Sequence, residues 1–186
     1  VIADKVIFIS HWLKEYFEDR GFSKESSVIY NGCNLDHFYP EKLPNQNEVT
    51  KIVTHHWSDN WLKGFDLYSD LDKFITKNPD CGYEFTYVGR FSPEYKPTST
   101  KLVSPLWGPE LGKELRKHDI YITASRNEPC GMHHVEGAAS GLPVIFHRDC
   151  GGINELCERH GLEYFGFEDF LEKLEFLKNN LSGFKL

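Results

Sequence analysis

Short runs of apolar residues alternate along this chain with longer stretches in which apolar positions recur every three or four residues. The short runs predict strands over Lys5–Ile9, Ser27–Tyr30, Lys51–His55, Glu84–Gly89, Lys101–Val103, Ile120–Thr123 and Pro143–Phe146. The longer stretches predict helices over His11–Arg20, Phe65–Lys77, Leu111–Lys117, His134–Ser140, Ile153–Glu158 and Phe167–Asn179. The last of these carries Phe167, Phe170, Leu171, Leu174, Leu177 and Leu181 as a helical stripe, the pattern of a helix packed on a sheet. Polar, Pro- and Asn-rich Glu41–Glu48 and Ser92–Thr100 read as loops. Strands that alternate with helices imply βαβ units, hence a Rossmann-like α/β fold with a parallel sheet and helices on both faces. Ligands of such sheets bind at the carboxyl ends of the strands. The site is therefore expected after Lys51–His55, Glu84–Gly89 and Ile120–Thr123.

Composition narrows this picture. The 186 residues make one domain, and the net charge of −7 argues against a nucleic-acid partner, which needs clustered Lys and Arg. It argues equally against a basic membrane-binding face. No apolar run approaches the ~18 residues of a membrane span. The five cysteines, Cys33, Cys81, Cys130, Cys150 and Cys157, are odd in number and lack a C-x-x-C pair, the usage of free thiols in a reducing cytosol. A start at Val1 suggests that the natural N-terminus lies further upstream.

The most informative stretch runs from Glu128 to Ile145. Two glutamates, Glu128 and Glu136, are separated by seven residues with Gly131 between them, followed by a helix of small residues, Gly141-Leu142-Pro143 and a short apolar strand. A Gly-containing turn entering a helix leaves N–H groups without intrahelical partners, and the helix dipole adds positive potential. Such a turn seats a phosphate or sugar hydroxyls. Gly131, Met132 and His133 are the candidate backbone donors there. One carboxylate can face a ligand at the mouth, and the other can accept from a vicinal diol deeper in.

This segment resembles the donor-binding domain of retaining GT-B glycosyltransferases, the glycosyl transferases group 1. The resemblance extends to Val6–Ser10, to Val28–Asn34 with Phe38-Tyr39-Pro40, to Lys63-Gly64-Phe65-Asp66, to Asp119–Ser125, and to Gly151-Gly152 with Glu155. Each element is weak alone; six in order make a specific signal. The resemblance implies that the chain is the C-terminal half of a GT-B enzyme, one donor-binding domain over residues 1–186. Residues 1–40 would be the interdomain crossover and lead-in. The acceptor domain would lie outside this chain, in cis or as a separate chain.

By the same resemblance, Glu128 sits near the donor sugar and the reacting centre, and Glu136 accepts from the ribose hydroxyls. Lys63 neutralises the diphosphate. Leu106–Glu110 sits where relatives hold the base, with Trp107 able to stack on it. The pattern departs at one place: the arginine expected ahead of Lys63 is replaced by Thr54-His55-His56-Trp57-Ser58-Asp59-Asn60. His56, Ser58 or Asn60 then stand in for it, or Arg90 reaches over from the next strand. Adjacent histidines such as His55-His56 and His133-His134 point apart and chelate one ion poorly, and Asp70-Leu71-Asp72 reads as a solvated helix face rather than a metal motif. Gly151 and Gly152 are read as turn glycines that also approach the donor. The expected reaction is transfer of a sugar from a nucleotide-diphosphate-sugar, UDP-sugar favoured over GDP-sugar, to a carbohydrate, lipid-linked or protein hydroxyl, with retention and without a metal or other cofactor. The chain alone is then expected to be inactive. The enzyme is expected in the cytoplasm, with any contact to the inner membrane made through the missing domain. The alternatives are a nucleotide-sugar epimerase on the same fold, in which His55 and His133 would be essential, and a non-catalytic nucleotide-sugar-binding module.

Overall fold

The computed structural model describes residues 3–41, 49–158 and 161–184. Most of the loop predicted over Glu41–Glu48 lies outside them. The chain opens with a small parallel pair, β1 (Val6–Phe8) and β2 (Ser26–Val28), joined by helix α1 (His11–Glu18). Ser10 caps α1 by accepting the Leu13 N–H at 3.0 Å, the usual role of an N-cap serine.

The main sheet has six parallel strands: β3 (Thr50–His56), β4 (Tyr83–Gly89), β5 (Lys101–Val103), β6 (Ile120–Thr123), β7 (Val144–His147) and β8 (Gly161–Tyr164). They lie in the order β5-β4-β3-β6-β7-β8. The chain winds outward from β3 in one direction, then returns to the other side of it, the doubly wound order with its switch point between β3 and β6. The connecting helices are α2 (Phe65–Lys77), α3 (Gly108–Leu115), α4 (His133–Ala139) and α5 (Ile153–Cys157), and α6 (Phe167–Asn180) follows β8. Helix α3 starts three residues before its predicted position because Pro109, with its fixed φ, occupies the first turn. The predicted loop over Ser92–Thr100 is observed as one.

Buried strands on both faces explain why the apolar runs are continuous. Ile52, Phe85, Tyr87, Ile120, Ile122 and Ile145 face one layer, where they meet Phe65, Tyr68 and Leu71 of α2 and Phe170, Leu174 and Leu177 of α6. Val53, Val88, Tyr121, Val144 and Phe146 face the other, against Leu111 and Leu115 of α3 and Ile153 and Cys157 of α5. The stripe on α6 therefore packs as its spacing predicts.

Two expectations are corrected. Strand β8 carries no recognisable signal in the sequence; its four residues, Gly-Leu-Glu-Tyr, become a strand by pairing with β7 from Val144↔Gly161 to His147↔Tyr164. Asp70-Leu71-Asp72 is not a solvated face. Asp70 is exposed, but Leu71 and Asp72 are buried. Asp72 accepts the Thr98, Ser99 and Thr100 N–H groups at 2.8, 2.9 and 2.7 Å and the Thr100 hydroxyl at 2.7 Å. A carboxylate holding four donors is the anchor of the loop before β5. All five cysteines are free thiols. Among the described residues no helix is long and apolar enough to cross a membrane.

Candidate functional site

A cleft of about 360 Å³ opens at the carboxyl ends of β3 and β6, the switch point of the sheet. Its wall includes Glu128, Lys63, Glu136, Gly131, Met132, His133, His56, Ser58 and Trp107. Among the predicted residues, Asn60, Gly151 and Gly152 lie outside this wall, as does Arg90. Its guanidinium covers the Trp57 ring at 4.6 Å, and Trp57 forms the rim together with Trp107, ring centroids 6.1 Å apart.

Local sequence places each group. Asn60 accepts the Leu62 N–H at 2.9 Å and starts a short 3-10 turn, Trp61–Lys63. Gly64 ends that turn at φ 99°, and a Cβ there would strike Ala124 at the end of β6. Lys63 is thereby held over the cleft, where its ammonium donates to Glu128. Glu128 is fixed by its backbone: its N–H donates to Cys150 O at 3.0 Å and its carbonyl accepts the Gly152 N–H at 2.9 Å. A Cβ on Gly151 or Gly152 would collide with the carbonyl of Glu128 or Pro129. These two glycines thus serve close packing against the Glu128 loop, rather than approach to a ligand.

Glu136 sits in the first turn of α4, where the helix dipole favours its charge. The first bond of that end runs from Glu136 N to Met132 O at 2.9 Å, which leaves the preceding turn, Gly131 to His133, as the open end. The small residues of α4 have a packing cause. A Cβ on Gly137 would meet the Tyr121 ring at 2.5 Å, so only glycine lets the helix lie this close to β6. That approach brings the Glu136 carboxylate within 2.7 Å of His55 Nε2.

The four histidines divide. Period-two alternation puts His55 and His56 on opposite faces of β3. His55 meets Glu136 and the Tyr121 hydroxyl, whereas His56 meets the Tyr68 hydroxyl of α2 at 2.8 Å. The imidazole of His133 bonds the Thr123 hydroxyl at 2.9 Å and lies 4.7 Å, ring centre to ring centre, from that of His56. Burial, with Lys63 and the other histidines adding repulsion, holds His56 and His133 well below the usual imidazole range. Burial, then His55, lowers His134 to about 4. His56 and His133 are neutral hydrogen-bonding rings at pH 7, whereas both ring nitrogens of His134 are buried without a hydrogen-bond partner. Lys63 is then the one permanently cationic side chain among the described residues of the cleft wall. Among the described residues, no group of three or more His, Cys, Asp and Glu is arranged to hold a metal ion.

Two residues outside the predicted donor-site set matter here. In the sequence His55 is legible as half of a histidine pair and as an acid/base residue of the epimerase alternative, not as a partner of Glu136; the strand alternation that separates the two histidines was the available signal. Glu155 accepts the His11 and Trp12 N–H groups at 2.9 and 2.6 Å and the Tyr30 hydroxyl at 2.6 Å, which fastens the opening segment to α5. That bond is the main reason the Tyr30 hydroxyl is pushed up to about 12.

A doubly wound sheet with two carboxylates and a lysine at its switch point defines an α/β domain of the class that takes its ligands in the crevice at the strand ends. Residues 61–177 match the glycosyl transferases group 1, and the chain belongs to that family. It is 28% identical over 157 residues to an uncharacterized glycosyltransferase of Methanocaldococcus jannaschii, covering 83% of this chain and 42% of that one. It therefore spans about two fifths of the length of that curated relative. Its fold is similar to sucrose-phosphate synthase of Thermosynechococcus elongatus, with a TM-score of 0.80 at 19% identity over 98% of this chain and 51% of the other. It is also similar to the C-terminal domain of a glycosyl transferase group 1 family protein of Francisella tularensis, with a TM-score of 0.62 at 17% identity, over 82% of this chain and 92% of that one. The α/β architecture is that of the C-terminal Rossmann-like domain of GT-B glycosyltransferases.

Proposed function

We propose that this chain is the donor-binding domain of a retaining hexosyltransferase that takes its sugar from a nucleotide-diphosphate-sugar. The observation that carries this reading is the convergence of Glu128, Lys63, Glu136 and the Gly131–His133 turn on one cleft at the switch point. In this reading Glu136 accepts from the ribose 2′- and 3′-hydroxyls, and Trp107 at the rim stacks on the base. Lys63 neutralises the leaving diphosphate, and the Gly131–His133 turn donates to the sugar or the distal phosphate. His56 and Ser58 add neutral hydrogen bonds in place of a second cation, and Arg90 supports the rim through Trp57.

The chemistry follows from charge. As the bond between the anomeric carbon and the phosphate oxygen breaks, positive charge grows on the sugar and negative charge on the diphosphate. Glu128 faces the first and Lys63 the second, each fixed before reaction. The acceptor hydroxyl attacks from the face the phosphate leaves, and the leaving phosphate oxygen takes its proton, so configuration is kept. The acceptor, a carbohydrate, lipid-linked or protein hydroxyl, would be supplied against the N-terminal domain of the same enzyme. An epimerase would require His55 and His133 as free acid and base; their engagement with Glu136 and Thr123 favours transfer over that alternative.

Calorimetric titration of the chain with UDP, GDP and ADP, each with and without EDTA, tests the reading. One nucleotide is expected to bind, with chelator making no difference. Glu136→Gln is expected to weaken that binding about tenfold or more, the scale of a lost charge-assisted hydrogen bond. Unchanged affinity in this variant removes Glu136 from the site.

A further inference from the structure

We propose that His55, backed by Tyr121, is a positioning residue that aims the Glu136 carboxylate and thereby sets how strongly the site selects a ribose diol. The proposal rests on the donor-site reading above. Three distances carry it. The His55 main-chain N–H reaches the Tyr121 hydroxyl at 3.3 Å, that hydroxyl lies 3.1 Å from His55 Nδ1, and His55 Nε2 lies 2.7 Å from Glu136 Oε2.

A doubly protonated ring donates from Nε2 to Glu136, and for a neutral ring one proton arrangement satisfies all three. The Tyr121 oxygen accepts the main-chain N–H, and its own proton points to Nδ1. Nδ1 is then an acceptor, so the ring proton sits on Nε2 and is donated to Glu136. The opposite tautomer would set a bare Nε2 lone pair against a carboxylate at 2.7 Å, a repulsive contact. Tyr121 is fully buried and His55 is 8% exposed, so neither ring can swing to solvent. The neighbouring Gly137 keeps α4 against the Tyr121 ring. With one carboxylate oxygen held from behind by His55, the other is presented in a fixed direction, which lowers the ordering cost of a bidentate contact with two vicinal hydroxyls.

The test compares each nucleotide that binds among UDP, GDP and ADP with its 2′,3′-dideoxy counterpart. The unchanged protein is expected to prefer the ribose form by about tenfold or more. In His55→Asn the amide ends near the Nδ1 position and cannot reach Glu136, so the preference is expected to collapse to about twofold, while affinity for the dideoxy form stays the same. In His55→Gln the amide nitrogen ends near the Nε2 position, and most of the preference is expected to return. Tyr121→Phe, which lets the proton move to Nδ1, is expected to lower the preference independently and serves if His55→Asn does not fold. A merely structural role for His55 would weaken both nucleotides alike. A preference that survives both His55→Asn and Tyr121→Phe, or a uniform loss, overturns the proposal alone. If none of the three nucleotides binds, or the unchanged protein does not distinguish ribose from dideoxyribose, the donor-site reading falls and takes this proposal with it.

Discussion

Lys63→Ala is expected to weaken binding of the nucleoside diphosphate by about ten- to a hundredfold and to leave the affinity of the corresponding nucleoside nearly unchanged. A charge-assisted hydrogen bond to an oxyanion contributes ~1.5–3 kcal/mol, and each ~1.4 kcal/mol is a factor of ten. The effect should reach the upper part of that range for a structural reason. His56 and His133 are buried and neutral, so no second cation of the described cleft wall takes over. Removing Lys63 also leaves Glu128 without its partner, and an unopposed carboxylate repels the incoming diphosphate. Both effects are electrostatic in a partly open cleft. The loss should therefore shrink as salt rises, because screening weakens the Lys63 contribution in the unchanged protein. Titrations of diphosphate and nucleoside at low and high salt check this. Equal affinity of the two ligands for the unchanged chain would sink the diphosphate assignment.

Asp72→Ala is expected to cost about 3 kcal/mol of stability at pH 7, a fall of roughly 6–12 °C in the unfolding midpoint for a domain of this size. Alanine strands three main-chain N–H donors, those of Thr98, Ser99 and Thr100, together with the Thr100 hydroxyl. Water entering the exposed loop recovers part of that, so the total stays below the sum of four lost bonds. The pH dependence gives a second signature. Burial pushes the Asp72 carboxyl up, but the donors from Thr98, Thr100 and Ser99 outweigh it and hold it below its ordinary value. A carboxyl lowered in the folded state contributes stability that is complete above the unfolded value of ~3.9 and is lost as pH falls through the folded value. The gap in melting temperature between the two proteins should hold from neutral pH to about pH 5 and narrow as pH falls below about 4. A gap that is constant with pH would mean that the carboxylate charge does not anchor the loop.

Particular residues mark how far the sequence could be read. Val53, Val88, Tyr121 and Val144 alternate with Ile52, Tyr87, Ile122 and Ile145 along their strands, and the two sets face the two layers. That alternation, with the helical stripe of α6, is a local signal, and it carried the fold. Glu128 and Glu136 were legible because the Gly131 turn between them is a local signal too, whereas Lys63 was legible through the family resemblance. Strand β8 was not legible, since a four-residue segment with one glycine and one exposed glutamate gains its strand character from β7. Asp72 was misread because the period of a helix shows which residues share a face, but not which loop will later cover that face.

The sequence by itself determined the βαβ order, because strand alternation and helix periodicity act over a few neighbours, and its motifs in order carried the resemblance to the family. Only the tertiary structure decided what each residue of the site touches. Glu128 meets Lys63 across 65 positions and His55 meets Glu136 across 81. Two histidines side by side in the chain face opposite layers of the sheet, and the pair of glycines at Gly151 and Gly152 supports the Glu128 loop. Such contacts arise where strand ends from distant segments are brought together by burial of the two apolar layers, and no local pattern encodes them.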